Sequence, residues 1–132
     1  MYIKISNILK NISFKLKQKS LYFEFKYYIA KKKSHIKDIS YFERAMGKSY
    51  TLVELSHKYN APIFVGNHVY KNHLNDISRM LYKKDANIRV ADDRIRGQSF
   101  KIGLIEECVS VEIINSLIKP VCGIIIGYHN NY

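Results

Sequence analysis

Residues 36–66 have the sequence IKDISYFERAMGKSYTLVELSHKYNAPIFVG, and this stretch decides the predicted fold. It opens with a short apolar segment, residues 36–42, that predicts a β-strand. Apolar residues then recur at the spacing of one helical face, until Pro62 ends the pattern: Leu52, Val53, Leu55 and Tyr59. Ile63 to Val65 form a brief apolar run closed by Gly66, which is typical of a buried parallel strand.

The rest of the chain continues this alternation of strands and amphipathic helices. We predict helices over residues 70–84 and 109–118, and strands over residues 88–90, 100–105 and 121–128. Strands alternating with helices indicate an α/β layer fold built on a parallel sheet. The 132 residues are enough for one such domain with a single core.

The N-terminal part of the chain has a different character. Residues 1–20 carry apolar positions at helical spacing and predict an amphipathic helix, whereas residues 21–30 suit either a strand or a continuation of that helix. Three consecutive lysines, residues 31–33, mark a solvated break. We therefore divide the chain into a basic amphipathic N-terminal extension, residues 1–35, and a main domain, residues 36–132.

The positive charge is concentrated in that extension. The formal net charge is +11, and residues 1–38 hold ten lysines against two acids. This excess indicates a polyanionic partner, and aromatic residues interleaved with lysines suit nucleic acid. Three alternatives stay open: a lysine-rich composition typical of an AT-rich genome, a packing role for the aromatics, and a membrane-surface anchor formed by residues 1–20. No apolar stretch reaches the length of a spanning helix, so we expect no stable membrane insertion.

The cysteines indicate the compartment. Cys108 and Cys122 form no CxxC pair, and the N-terminus lacks the features of a secretory signal. A reduced, cytoplasmic setting follows as the expectation.

Residues 46–49, Met-Gly-Lys-Ser, carry the strongest chemical signal, because they join a predicted strand to a predicted helix. Phosphate binding at such a junction needs close backbone approach, a cation and a magnesium-ligating hydroxyl, which Gly47, Lys48 and Ser49 supply. The full phosphate-loop pattern also asks for a glycine where this chain has Phe42, so the alternative is an ordinary helix start with an exposed lysine.

A second signal is the pair Glu106-Glu107, which directly follows the predicted strand over residues 100–105. Parallel strands deliver such residues to the carboxyl edge of the sheet, where open α/β sheets bind ligands. One acid would hold magnesium and the next would polarise the attacking water. The alternative is that both acids only favour the start of the following helix.

Two segments resemble a known family. Arg44-Ala45-Met46-Gly47-Lys48-Ser49 resembles the shortened P-loop of phage terminase large subunits and helicase-like ATPases, in which an arginine often precedes the loop and the first glycine is dispensable. Arg96-Gly97-Gln98-Ser99-Phe100, followed by an apolar strand and two acids, is similar to a second segment of those families. The resemblance covers about residues 36–130 and implies a RecA-like, three-layer P-loop NTPase fold with a parallel sheet and flanking helices.

The resemblance also implies roles for individual residues. Lys48 would bind the β and γ phosphates of ATP, Ser49 and Glu106 would bind Mg²⁺, and Glu107 would be the catalytic base, with Lys48 as the second catalytic residue. Arg44 would sense the γ phosphate. The whole loop would contact the nucleotide: Arg44, Ala45, Met46, Gly47, Lys48, Ser49 and Tyr50.

The chain departs from the family in two respects. The family usually has Asp where this chain has Glu106, which makes nucleotide binding a firmer expectation than hydrolysis. The chain also has no room for a nuclease domain or a second ATPase lobe, so we expect a homo-oligomer or a partner subunit. The leading hypothesis is a viral Mg-dependent ATPase in the host cytoplasm, and the alternative is a non-catalytic P-loop scaffold that binds nucleic acid or protein.

Overall fold

The computed structural model describes residues 2–39 and 47–130, apart from the side chains of residues 2–14, 17, 39 and 130. Within these residues the chain forms one five-stranded sheet in which every pairing is parallel. The strand order is β1-β5-β4-β2-β3, with β1 His35–Ile39, β2 Ile63–Val65, β3 Ile88–Val90, β4 Phe100–Ile105 and β5 Cys122–Asn130. The α/β class and the parallel sheet predicted from the sequence are confirmed.

Helices connect these strands and precede the first of them. The long ones are α1 Tyr2–Ala30, α2 Lys48–Tyr59 and α3 His68–Tyr82. A short α4, Val111–Ile113, continues as a π-helical turn, Ile114–Ile118, and a 3-10 turn, Lys119–Val121. Among the residues that the structure describes, no helix combines the length and the apolarity needed to cross a bilayer.

The helices cover both faces of the sheet because the chain crosses it in both directions. Along the strand order, the β1–β2 and β2–β3 connections run from the β1 side toward β3, whereas the β4–β5 connection runs toward β1. Because crossovers between parallel strands are right-handed, α2 and α3 lie on one face of the sheet and α4 lies on the other. Successive side chains of a strand point to opposite faces of the sheet. In β2, Ile63 and Val65 are buried in the core under α2 and α3, whereas Phe64 is buried in the core under α4.

α1 belongs to the same layer as α2 and α3. Its residues Leu21, Phe25 and Ile29 recur every fourth position and are buried in the core with α2 and with the sheet. Residues 21–30, which suited either a strand or a helix, are thus helical. The helix ends before Lys32, whose φ of 56° is left-handed and lets the chain turn into β1.

The strand register brings the ends of β1, β4 and β5 to one edge. Ile39, the last residue of β1, is level with Asn130 of β5, and Ile105, the last of β4, is level with Gly127. The carboxyl ends of β1, β4 and β5 therefore lie at the same edge of the sheet.

Candidate functional site

α2 begins at this carboxyl edge with a glycine that the geometry requires. Gly47, the residue before the helix, has φ 76°, a left-handed conformation that side chains rarely adopt. A Cβ at this position would also lie 2.8 Å from the Cβ of Gln18 in α1. Gly47 is thus fixed by backbone geometry and by its contact with α1, in addition to any role in approaching a phosphate.

The first turn of α2 carries the positive end of the helix dipole. No acid lies in this turn, so the positive end of the helix dipole is not neutralised by the helix itself. The Thr51 N–H and hydroxyl both donate to the Gly47 carbonyl at 2.9 Å, which closes the turn from within. The N–H groups of a first turn have no acceptor within their own helix, and this end of a helix attracts anions.

Lys48 reaches from this helix start to the end of β4. Its Nζ lies 3.6 Å from Oε2 of Glu107, and the two side chains are 10% and 25% exposed. Glu107 Oε2 is buried and accepts no hydrogen bond from the described residues. A partly desolvated ion pair of this kind leaves an uncompensated charge when one partner is removed. The two motifs singled out in the sequence are therefore in contact.

Glu106 is more deeply buried than its neighbour. The residue is 6% exposed, and its Oε2 accepts a hydrogen bond from the Cys108 N–H at 3.0 Å. Burial raises the pKa of Glu106, and the charge of Glu107 raises it further, against the lowering effects of the Cys108 hydrogen bonds and of Lys48. This carboxyl group pays a desolvation cost whenever it is ionised, which is common at functional sites.

We expect Glu106→Gln to make the fold more stable at neutral pH. A carboxyl group whose pKa rises on folding stabilises the fold fully below its ordinary pKa of 4.5, and this contribution is lost as the pH rises through the raised value. The amide keeps the acceptor for Cys108 but never carries the buried charge. Urea unfolding at neutral and acidic pH measures the difference, which should shrink below pH 4.5.

The matched control for that experiment is Glu112→Gln, which changes an exposed acid in the turn that follows the site. Its unfolding free energy should differ from wild type by less than about 0.5 kcal/mol. A Glu106→Gln chain less stable than wild type at neutral pH would show that the ionised carboxylate stabilises the site.

Tyr70 is a residue of this site that the sequence reasoning missed. It lies in the first turn of α3, where the Asn67 side chain accepts a hydrogen bond from its backbone N–H at 3.1 Å. The hydrogen bond with the Cys108 side chain, aided by burial and by the nearby carboxylates, raises the pKa of Tyr70 to about 12. Its phenol therefore stays protonated beside the two acids. The signal available in the sequence was its position just after β2, at the same edge as Glu106.

The floor of the site is formed by Tyr128 of β5. This residue is 1% exposed, and burial raises the pKa of its hydroxyl. The Thr51 hydroxyl is nearby but already donates to Gly47, and the Tyr128 hydroxyl makes no hydrogen bond of ordinary geometry with a described residue. A buried polar group without a partner is costly, and such groups concentrate at functional sites.

The remaining predicted site residues are placed less completely. Ser49 and Tyr50 follow Lys48 in α2 and are half-buried. Arg44, Ala45 and Met46 lie outside the described residues. The described part of the chain contains no cluster of three or more His, Cys, Asp or Glu side chains that could hold a metal ion. Magnesium does not need one, since it takes one or two protein ligands together with phosphate oxygens and water.

Chemically, this part of the sheet edge brings together one ammonium group, two carboxyl groups and a helix N-terminus, which are groups that phosphate and magnesium binding use. In comparisons with known proteins, no family model, no curated protein and no solved structure matches this chain.

Proposed function

We propose that this chain is a magnesium-dependent ATP-binding protein that hydrolyses ATP through a P-loop domain. The observation that carries the proposal is the 3.6 Å contact between Lys48 Nζ and Glu107 Oε2. It joins the phosphate-loop motif to the acidic pair at the carboxyl edge of a parallel sheet, where open α/β folds bind ligands.

The chain's own groups fit the charge of a nucleoside triphosphate. Lys48 and the first N–H groups of α2 would hold the outer phosphates, with Gly47 allowing close approach. Ser49 and Glu106 would hold Mg²⁺, which supplies charge neutralisation at the phosphate oxygens. Arg44, Ala45, Met46 and Tyr50 would complete the loop around the nucleotide.

The ion pair between Lys48 and Glu107 has to break when phosphate binds. Lys48 would move its charge from Glu107 to the phosphate oxygens, which are stronger and more numerous acceptors. Glu107 Oε2, which accepts no hydrogen bond from the described residues, would then be released to accept one from water. A carboxylate positioned in this way acts as the general base for hydrolysis.

Calorimetric titration of ATP with Mg²⁺ tests the proposal on wild type and Lys48→Ala. We expect wild type to bind and the variant to bind about 10- to 100-fold more weakly, since a charge-assisted contact contributes about 1.5–3 kcal/mol. Lys58→Ala is the matched control, because Lys58 is an exposed lysine in the last turn of the same helix. Equal affinities in wild type and Lys48→Ala, or no binding by wild type, would overturn the proposal.

One observation favours a second candidate function, a P-loop scaffold that binds its partner without hydrolysis. Burial raises the pKa of Glu106, which disfavours the ionised form that Mg²⁺ prefers as a ligand. The two functions differ in turnover, so an assay of phosphate release by wild type separates them.

A further inference from the structure

The outward face of α1 carries a stripe of exposed apolar side chains, which we name the α1 stripe: Leu16, Phe23 and Tyr27. These side chains are 63%, 61% and 58% exposed. They are separated by seven and four residues, spacings that return to the same side of a helix. The opposite side of α1 is the one buried in the core, so α1 is apolar on two faces and the domain covers only one of them.

The sequence upstream of Leu16 has apolar residues at the same helical spacing. Ile5, Leu9 and Ile12 precede Leu16 at the same alternation of three and four residues, within the same uninterrupted helix. All three are aliphatic. The apolar periodicity of the stripe therefore runs over most of α1.

Lysines flank the stripe and acids are nearly absent. Exposed or half-exposed lysines lie along the described part of α1 and the turn that follows it: Lys15, Lys19, Lys26, Lys31, Lys32 and Lys33. Two of them cover aromatic rings, with Lys26 Nζ 5.3 Å from the centre of the Tyr22 ring and Lys31 Nζ 5.9 Å from that of Tyr27. The only acid of the helix is Glu24, and its carboxylate is paired with His35 and Lys37.

We propose that α1 lies on the surface of an anionic lipid membrane, with the α1 stripe facing the acyl chains and the lysines at the level of the headgroups. An interfacial helix needs an apolar face and flanking cations, and its length does not decide the binding mode. Lysines beside the stripe can extend their charged ends to the phosphates while their stems cover apolar surface. Phenylalanine and tyrosine suit the boundary between the two regions.

The basic N-terminus suits both nucleic acid and an anionic membrane as a partner. The apolar side chains of α1 favour the membrane. Bases stack on aromatic rings, but they gain little from aliphatic side chains. Leu16 is aliphatic, and so are the three upstream residues that share its spacing in the sequence.

Co-sedimentation with vesicles tests this inference on the full chain. One vesicle preparation contains phosphatidylcholine alone, and the other contains equal parts of phosphatidylcholine and phosphatidylglycerol. We expect binding to the anionic vesicles only, lowered about tenfold or more when Leu16, Phe23 and Tyr27 are all changed to serine. The matched control changes three exposed apolar residues of α3 to serine: Val69, Met80 and Leu81. This control should bind like wild type, and circular dichroism shows whether each variant is folded.

A second set of variants tests the role of charge without touching the stripe. Changing Lys15, Lys19 and Lys26 to glutamine should weaken binding to the anionic vesicles, and added salt should weaken the wild type in the same way. The proposal is overturned if wild type ignores anionic vesicles, if it binds neutral ones equally, or if the serine variant binds like wild type. It is also overturned if the same three residues are needed for a single-stranded oligonucleotide and not for vesicles.

Discussion

A chain carrying Glu107→Gln is expected to bind ATP with Mg²⁺ at least as tightly as wild type and to release phosphate about 100- to 10,000-fold more slowly, the range lost when a general base is removed. The glutamine side chain has almost the same shape as the glutamate it replaces. It cannot accept a proton from the attacking water, so the variant retains the site but loses the proposed base.

The retained affinity follows from the ion pair in the ligand-free chain. Glu107 Oε2 lies 3.6 Å from Lys48 Nζ, so the carboxylate competes with phosphate for the same ammonium group. Removing its charge removes the competitor, and the affinity for ATP should stay unchanged or rise. An unrelated structural role for Glu107 would instead lower affinity and turnover together.

Phosphate release under saturating ATP gives the turnover, and calorimetry gives the affinity. Glu112→Gln is again the matched control, since it neutralises an exposed acid a few residues farther along the chain and should leave both quantities unchanged. Wild-type turnover in the Glu107→Gln chain would assign the base to another group. No turnover by wild type would favour the scaffold without hydrolysis.

Periodicity predicted most of the fold, and its failures have identifiable causes. The strands over residues 63–65, 88–90 and 100–105 agree with the structure. The continuous apolar run over residues 63–65 is the clearest case, because it is buried on both faces of the parallel sheet. The helix expected over residues 109–118 is instead a mixture of α, π and 3-10 turns that ends at Val121. Spacing rules based on one helical period do not describe such a mixture.

α1 was the least predictable element, since apolar residues lie on both of its sides. The amphipathic helix predicted over residues 1–20 lies within α1. A buried set and an exposed set of apolar residues alternate along residues 16–29, so the sequence alone left residues 21–30 as either a strand or a helix. Its contact with Gly47 was also unpredictable, because that contact joins Gln18 to a residue far along the chain. Which side of α1 faces the domain is a tertiary property that local spacing does not determine.

The candidate site was predictable only as far as topology fixes it. Lys48 and the acidic pair were expected at one sheet edge because Lys48 lies between a predicted strand and the next helix, and the acidic pair directly follows a predicted strand. The sequence could not tell which acid contacts the lysine, because the direction of the backbone after β4 decides which of Glu106 and Glu107 faces it. In the structure, Glu107 contacts Lys48, and Glu106 is the more deeply buried of the two acids.

We expect Phe25→Ala to lower the free energy of unfolding by about 3–5 kcal/mol, the usual cost of deleting a buried phenylalanine ring. Phe25 is fully buried, and its ring packs edge-to-face at 5.2 Å from the ring of Tyr128. That contact connects α1 to the floor of the candidate site. The loss should therefore reach the site as well as the core, because Tyr128 loses the ring against which it packs.

Phe23→Ala is the matched control, since it removes the same ring from the same helix at a position that is 61% exposed. Its unfolding free energy should change by less than about 0.5 kcal/mol, as is usual for surface positions. Urea unfolding of both variants makes the comparison. Equal, small losses would mean that α1 contributes little to the fold and behaves as a detachable extension. A large loss for Phe25→Ala alone would make α1 a structural part of the domain, so that any ligand of its outer face acts on a helix in contact with Gly47.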